Sequence, residues 1–192
     1  FSRSKGNDMW VLLLEKAYAK LYKSYFGTSS GFQQEALAAL TGAPTKYFKF
    51  KKNSGLEPID ETYLFLAGGI ANKFVLTASS RKESETVNNK EMGVVSVHAY
   101  AILDVREIDL PNGKREKLIK MRNPWGNREW KGEWGDSSAY WTPELKKLLN
   151  YQPQASDGVF WINMQDFHKH FFAPGVCQIH EGYKYSFIKL IF

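Results

Sequence analysis

One cysteine, Cys177, stands in 192 residues, which excludes an internal disulfide framework and a cysteine-rich zinc site. A lone thiol fits a reducing compartment, and a cytoplasmic location is the expectation. No apolar run approaches the ~20 residues of a membrane span, so membrane association is not evident. No signal-peptide pattern stands at the start. Acidic residues are scarce in one place only. Residues 1–52 carry nine Lys/Arg against three Asp/Glu, while residues 53–192 carry 17 of each. The net charge of +6 therefore arises in the first quarter. Its densest part, Lys46-Tyr47-Phe48-Lys49-Phe50-Lys51-Lys52, mimics a nucleic-acid patch of cations and aromatics. It reads better as an edge strand with Phe48 and Phe50 inward and Lys49 and Lys51 outward. No nucleic acid is expected as a partner.

What is present is a folded chain, 43% hydrophobic and 15% aromatic, long enough to bury a real core. It suits one large domain or two small ones. The chain opens on Phe1 and closes on the strand-like residues 185–192, which reads as a domain excised from a longer protein.

The spacing predicts a helix from a cap at Asn7 or Asp8 to Gly27, with Trp10, Leu14, Ala17, Leu21 and Tyr25 as a core-packing stripe. Shorter helices are expected at Phe32 to Leu40 and at Pro58 to Leu66, the latter ended by Gly68-Gly69. Phe74 to Ala78 reads as a buried strand, and Ser79 to Glu91 as a charged loop. Thr142-Pro143-Glu144 starts a helix to Leu149, Gly158 to Ile162 is a strand, and Asp166 to Phe172 a short helix. Strands and helices alternate without βαβ spacing. The fold class is therefore α+β, a mostly antiparallel sheet with flanking helices.

The chemistry centres on Met92 to Thr142. Two alternating strands flank Pro111-Asn112-Gly113, a strong hairpin signal. Antiparallel pairing returns the chain from His98 to the region of Pro124 to Asn127. A bulge or short slip would set His98 against Asn123, although one residue of slip also flips the face. A His beside an Asn is two-thirds of a papain-like site, where an Asn carbonyl fixes the imidazole that exchanges a proton with a Cys thiolate. Trp125 can keep water off that hydrogen bond. Cys177 lies after both residues, against the Cys, His, Asn order, and reads as an ordinary thiol. His168 and His170, two apart on a helix, make a poor metal pair and read as surface or packing residues.

The stretches Val97-His98-Ala99-Tyr100, Lys120-Met121-Arg122-Asn123-Pro124-Trp125-Gly126 and Glu129-Trp130-Lys131-Gly132-Glu133-Trp134-Gly135-Asp136 together resemble the calpain family of cysteine proteases. Trp10 to Leu21, Leu40-Thr41-Gly42 and Asp157 to Trp161 extend the likeness over roughly residues 5–175. The resemblance implies the second, C-terminal subdomain of a papain-like protease core, spanning residues 1–192, with 176–192 beginning a following segment. It implies a calcium-regulated endopeptidase whose catalytic Cys lies in a preceding lobe, with polypeptides and that lobe as partners. His98 would be the general base and acid, Asn123 its orienter, and Trp125 shield and calcium-sensitive wedge. The fragment alone would be inert. Calcium ligands implied by the resemblance are Glu129, Asp136 and Asp157. The sequence departs from the family at Val159, where a further acid is expected, and at Val97, where a glycine lining the substrate cleft is expected. The alternative is a non-catalytic calpain homologue acting as a protein-interaction module. A free-standing, aromatic-rich ligand-binding domain is a third.

Overall fold

The computed structural model describes residues 8–48, 57–82, 89–154, 157–182 and 184. Helix α1 (Trp10–Leu21) is followed by a 3₁₀ turn at Phe26–Thr28, helix α2 (Gln33–Thr41), strand β1 (Thr45–Tyr47), helix α3 (Pro58–Ala71) and strand β2 (Val75–Ser80). The hairpin β3 (Ala99–Asp109) and β4 (Arg115–Arg122) comes next. Helix α4 (Pro143–Leu148), strand β5 (Val159–Asn163), helix α5 (Met164–His170) and strand β6 (Phe171–Cys177) complete the order. The strands form one antiparallel sheet, β1-β6-β2-β3-β4-β5. The α+β class read from the element pattern is the class observed. Among the described residues no helix is long and apolar enough to cross a membrane.

Alternation along the strands builds two cores, one on each face. Phe160 and Ile162 of β5 face Leu66 of α3, Tyr100, Ile119 and Phe167, while Trp161 between them faces the other way. On that second face Trp161 and Leu118 pack under Trp134, Trp141, Leu145 and Tyr151. The Trp-rich segment after the hairpin is thus a lid over half of the sheet. Helix α4 starts as the sequence indicates, with the Thr142 hydroxyl accepting from Leu145 N at 3.3 Å and Pro143 in the first turn. Helix α5 begins earlier than expected, at Met164, because the Asn163 side chain accepts from Asp166 N at 2.7 Å and caps it. Phe171 and Phe172 leave it for β6.

Three expectations are corrected. Helix α3 does not stop at Gly68-Gly69 but runs through them to Ala71. A Cβ on Gly69 would stand 2.6 Å from Leu76 Cδ2, so this glycine lets the helix lie close on β2 instead of ending it, whereas a Cβ on Gly68 would meet nothing within 4 Å. Helix α1 has neither the expected cap nor the expected burial. Met9 occupies its N-cap without a side-chain hydrogen bond, and Asn7 lies outside the described residues. Trp10 is 65% exposed and Leu21 69%, and only Ala19 is buried. The periodic stripe is real, but Trp10, Leu14 and Leu21 stay exposed among the described residues, since periodicity reports an apolar face and not what covers it. Strand β1 is an edge strand as expected, but it ends at Tyr47. Phe48 follows it and packs on Phe65 with ring centroids 4.8 Å apart, while Phe50 lies outside the described residues.

Candidate active site

The hairpin carries the site to the sheet's end. Ile102 pairs with Met121 but Asp104 with Lys120, so Leu103 is an extra residue in β3. That bulge resets the alternation. Tyr100 and Ile102 share the same core with Val105, which strict alternation would put on the opposite face. Beyond the strand ends, His98 Nε2 lies 2.9 Å from Asn123 Oδ1.

The Asn123 amide is buried and fully used. Its Nδ2 donates to the carbonyls of Asn127 at 2.6 Å and Arg128 at 3.2 Å, and its Oδ1 also accepts from Trp125 N at 3.0 Å. With the nitrogen committed to two carbonyls, the oxygen must face the histidine. An acceptor there requires the proton on His98 Nε2, and in the neutral tautomer this leaves the lone pair on Nδ1. Among the described residues nothing occupies Nδ1. The Trp125 indole lies against the imidazole with ring centroids 4.4 Å apart, and Tyr100 meets it edge-on at 5.1 Å. Trp125 is itself 58% exposed, so it shields the His–Asn bond from the solvent side. Val97, the residue before His98, is 70% exposed and holds φ at +51°. That is a strained conformation for a β-branched residue.

A second layer around His98 was invisible in the sequence. Ser80, at the end of β2, is fully buried. Its N donates to His98 O at 2.9 Å, and its Oγ accepts from His98 N at 2.9 Å. The same hydroxyl donates to Val95 O at 2.5 Å. Below it, His170 Nδ1 and Asn89 Oδ1 are 2.6 Å apart and buried, and Asn89 ties Arg81 O to Val94 N. Single polar residues in apolar surroundings carry no spacing signal. Burial and the neighbouring Arg81 charge lower the His168 pKa. His168 and His170 are packing residues, with His170 edge-on to Trp130 at 4.9 Å.

Cys177 is buried and pairs with Val75, whereas Ala99 pairs with Ser79, roughly 13 Å further along β2. It is no nucleophile for this histidine. The three acids stand on neighbouring loops but are engaged elsewhere. Glu129 Oε1 accepts from Gly158 N at 2.8 Å, Asp157 Oδ1 accepts from Val159 N at 2.7 Å, and Asp136 Oδ1 accepts from the Tyr151 hydroxyl. Asp136 Oδ2 is buried without a partner, and burial raises the pKa of that carboxyl. The Tyr151 hydroxyl is pushed up strongly by burial and by its bond to Asp136, with Asp157 and Glu129 adding to the effect. Yet among the described residues no group of three or more His, Cys, Asp or Glu could hold a metal ion. A hard cation asks for 6–8 oxygens, so these acids do not fit a preassembled calcium site.

The family model of calpain family cysteine proteases matches residues 1–178. The chain belongs to the calpain family. It is 39% identical over 179 residues to the calpain-type cysteine protease ADL1 of Oryza sativa subsp. japonica, covering 92% of this chain and 8% of that protein. It is 35% identical over 184 residues to human calpain-14, covering 94% of this chain and 25% of that one. Against the rat calpain-1 catalytic subunit it is 34% identical over 182 residues, covering 92% and 24%. The chain thus spans a quarter or less of these calpains.

Proposed function

We propose that this chain is the second catalytic lobe of a calpain-type cysteine endopeptidase. It would supply His98 and Asn123 to a Cys carried by a preceding lobe of the same protein. The observation that carries the reading is the 2.9 Å contact from His98 Nε2 to an Asn123 oxygen that cannot turn away. That contact leaves Nδ1 to take the thiol proton. The thiolate then attacks a peptide carbonyl, and the imidazolium returns the proton to the leaving amine. Water, deprotonated by Nδ1, releases the acyl group and regenerates the thiol. Trp125 keeps the pair dry. Polypeptides would lie between the two lobes, and the exposed Trp10, Leu14 and Leu21 of α1 support contact with the preceding lobe. The fragment alone has no nucleophile and is inert in this reading. The location proposed is cytoplasmic.

The parent protein as a whole would be calcium-regulated, while Glu129, Asp136 and Asp157 are each hydrogen-bonded within this lobe. A second reading, a non-catalytic homologue serving as an interaction module, is favoured by one observation, the strained and exposed Val97 beside His98.

The test is peptidase assay of the full-length parent protein on fluorogenic peptides, with calcium and with chelator. The expected outcome is calcium-dependent cleavage that His98→Ala abolishes and Asn123→Ala reduces by at least about tenfold. No cleavage by a folded parent protein moves the assignment to the module.

A further inference from the structure

Beside the His98–Asn123 pair opens a cavity of about 510 Å³. One wall is the backbone from Gly93 to Ser96, which leads directly into Val97 and His98. The other is the segment carrying Arg128 and Lys131, which follows the Asn123 loop, and the Arg128 carbonyl is itself a partner of Asn123 Nδ2. The cavity's walls are therefore formed by the segments that lead into His98 and out of the Asn123 loop.

Its lining is charged with one sign. Lys90, Arg128 and Lys131 are its charged lining residues, and no Asp or Glu lines it. Neither Arg128 nor Lys131 takes part in an ion pair among the described residues. The walls are also held at a set distance. Gly93 has φ +81°, and a Cβ there would stand 1.9 Å from the Glu129 carbonyl and 3.4 Å from Lys131 Cγ. Lys131 N donates to Met92 O at 3.0 Å. The Lys131 stem consequently runs alongside Gly93. Arg128 sits in a left-handed conformation, φ +57°, that fixes where its side chain departs. Cations gathered in one concavity repel one another until an anion enters, and a concave wall concentrates their field. A guanidinium with ammonium groups beside it suits a carboxylate or a phosphoryl group.

Resting on the protease reading above, we infer that this cavity is a subsite for an anionic side chain of the polypeptide in the cleft, next to the scissile bond. The ligand chemistry is a carboxylate or phosphoryl group on a substrate side chain. Position in the chain supplies the reason: Val95 and Ser96 stand only three and two residues before His98, so a polypeptide held at His98 would have a side chain within reach of this wall.

The experiment uses the full-length parent protein and matched peptides that carry Glu, phosphoserine or Gln at one position at a time on either side of the scissile bond. At one position kcat/KM for the Glu peptide is expected to exceed that for the Gln peptide by about fivefold, the scale of a partly exposed ion pair. Phosphoserine exceeding Glu assigns the phosphoryl group as the preferred anion, and the reverse assigns the carboxylate. The preference shrinks with added salt. Lys131→Gln and Arg128→Gln each move the ratio toward one, and Lys131→Glu turns it in favour of a Lys peptide. Because the readout is a ratio, it does not depend on the overall rate of each variant. Equal rates at every position, or a preference that survives both variants, overturn the subsite. If no peptide is cleaved, the protease reading fails separately, and the same peptides are measured by fluorescence anisotropy on the same protein. Tighter binding of the anionic peptides, lost in the Arg128→Gln, Lys131→Gln double variant, upholds the subsite, and equal binding overturns it.

Discussion

Ser80 holds His98 by both of its backbone polar groups, although 18 residues separate them and only Ser80 lies within a strand. Its hydroxyl also grips Val95 O. The imidazole's position thus depends on β2 as well as on the hairpin. Ser80→Ala leaves a buried N–H and a carbonyl without partners, which costs about 1–3 kcal/mol of stability. Because Ser80 is fully buried and bonded to the His98 backbone, it would act through His98 as a positioning residue in the proposed protease. In the full-length protein the substitution is expected to lower kcat while leaving KM nearly unchanged. A KM effect of equal size would show a general loosening of the cleft instead.

Val97 is the strained neighbour. Replacing it with glycine removes a left-handed β-branched residue, a strain of about 1–3 kcal/mol, against the extra chain entropy of glycine, about 0.5–1 kcal/mol. Val97→Gly is expected to be about 1 kcal/mol more stable by denaturant midpoint. It should also accept substrates with bulkier side chains near the scissile bond. A less stable variant would mean that the Val97 side chain makes contacts that outweigh its strain.

Tyr151 is bound to one of the three acids, Asp136. Its hydroxyl donates to Asp136, whose second oxygen is already buried and alone. Tyr151→Phe leaves both oxygens of Asp136 unpartnered and is expected to cost about 1–3 kcal/mol. Asp136→Asn in the same background should recover part of that loss, since no buried charge is left. Additive effects in the double-mutant cycle would show that the two groups do not interact.

His168 gives a pH dependence. Burial and Arg81 depress its folded pKa below the ordinary 6.5, so the folded state binds fewer protons than the unfolded one. Stability is therefore full above the unfolded value and falls as pH drops from 6.5 through the folded pKa. His168→Gln should flatten that part of the stability curve. Urea titrations across the interval, wild type against variant, measure it, and parallel curves would remove His168 as a source of acid sensitivity.

Much of this molecule is written locally. The Asn112-Gly113 turn and its flanking alternation specify the β3–β4 hairpin, because turn geometry and a period of two leave few other pairings. The motif Asn123-Pro124-Trp125-Gly126, with His98 25 residues before it, is enough to mark the family. The Thr142 cap follows from near neighbours in the same way. What the tertiary structure alone decided involves residues far apart in the chain. The extra residue at Leu103 sets which face His98 joins, and two carbonyls turn the Asn123 amide toward it. Ser80, Asn89 and His170 form the layer beneath, and Gly69 admits Leu76 instead of ending a helix. Trp10, Leu14 and Leu21 of the α1 stripe are exposed among the described residues, since an apolar face records a demand for burial while only tertiary structure shows what meets it. The basic cavity belongs to the same class, because Lys90 and Lys131 become neighbours only when two loops close on Gly93.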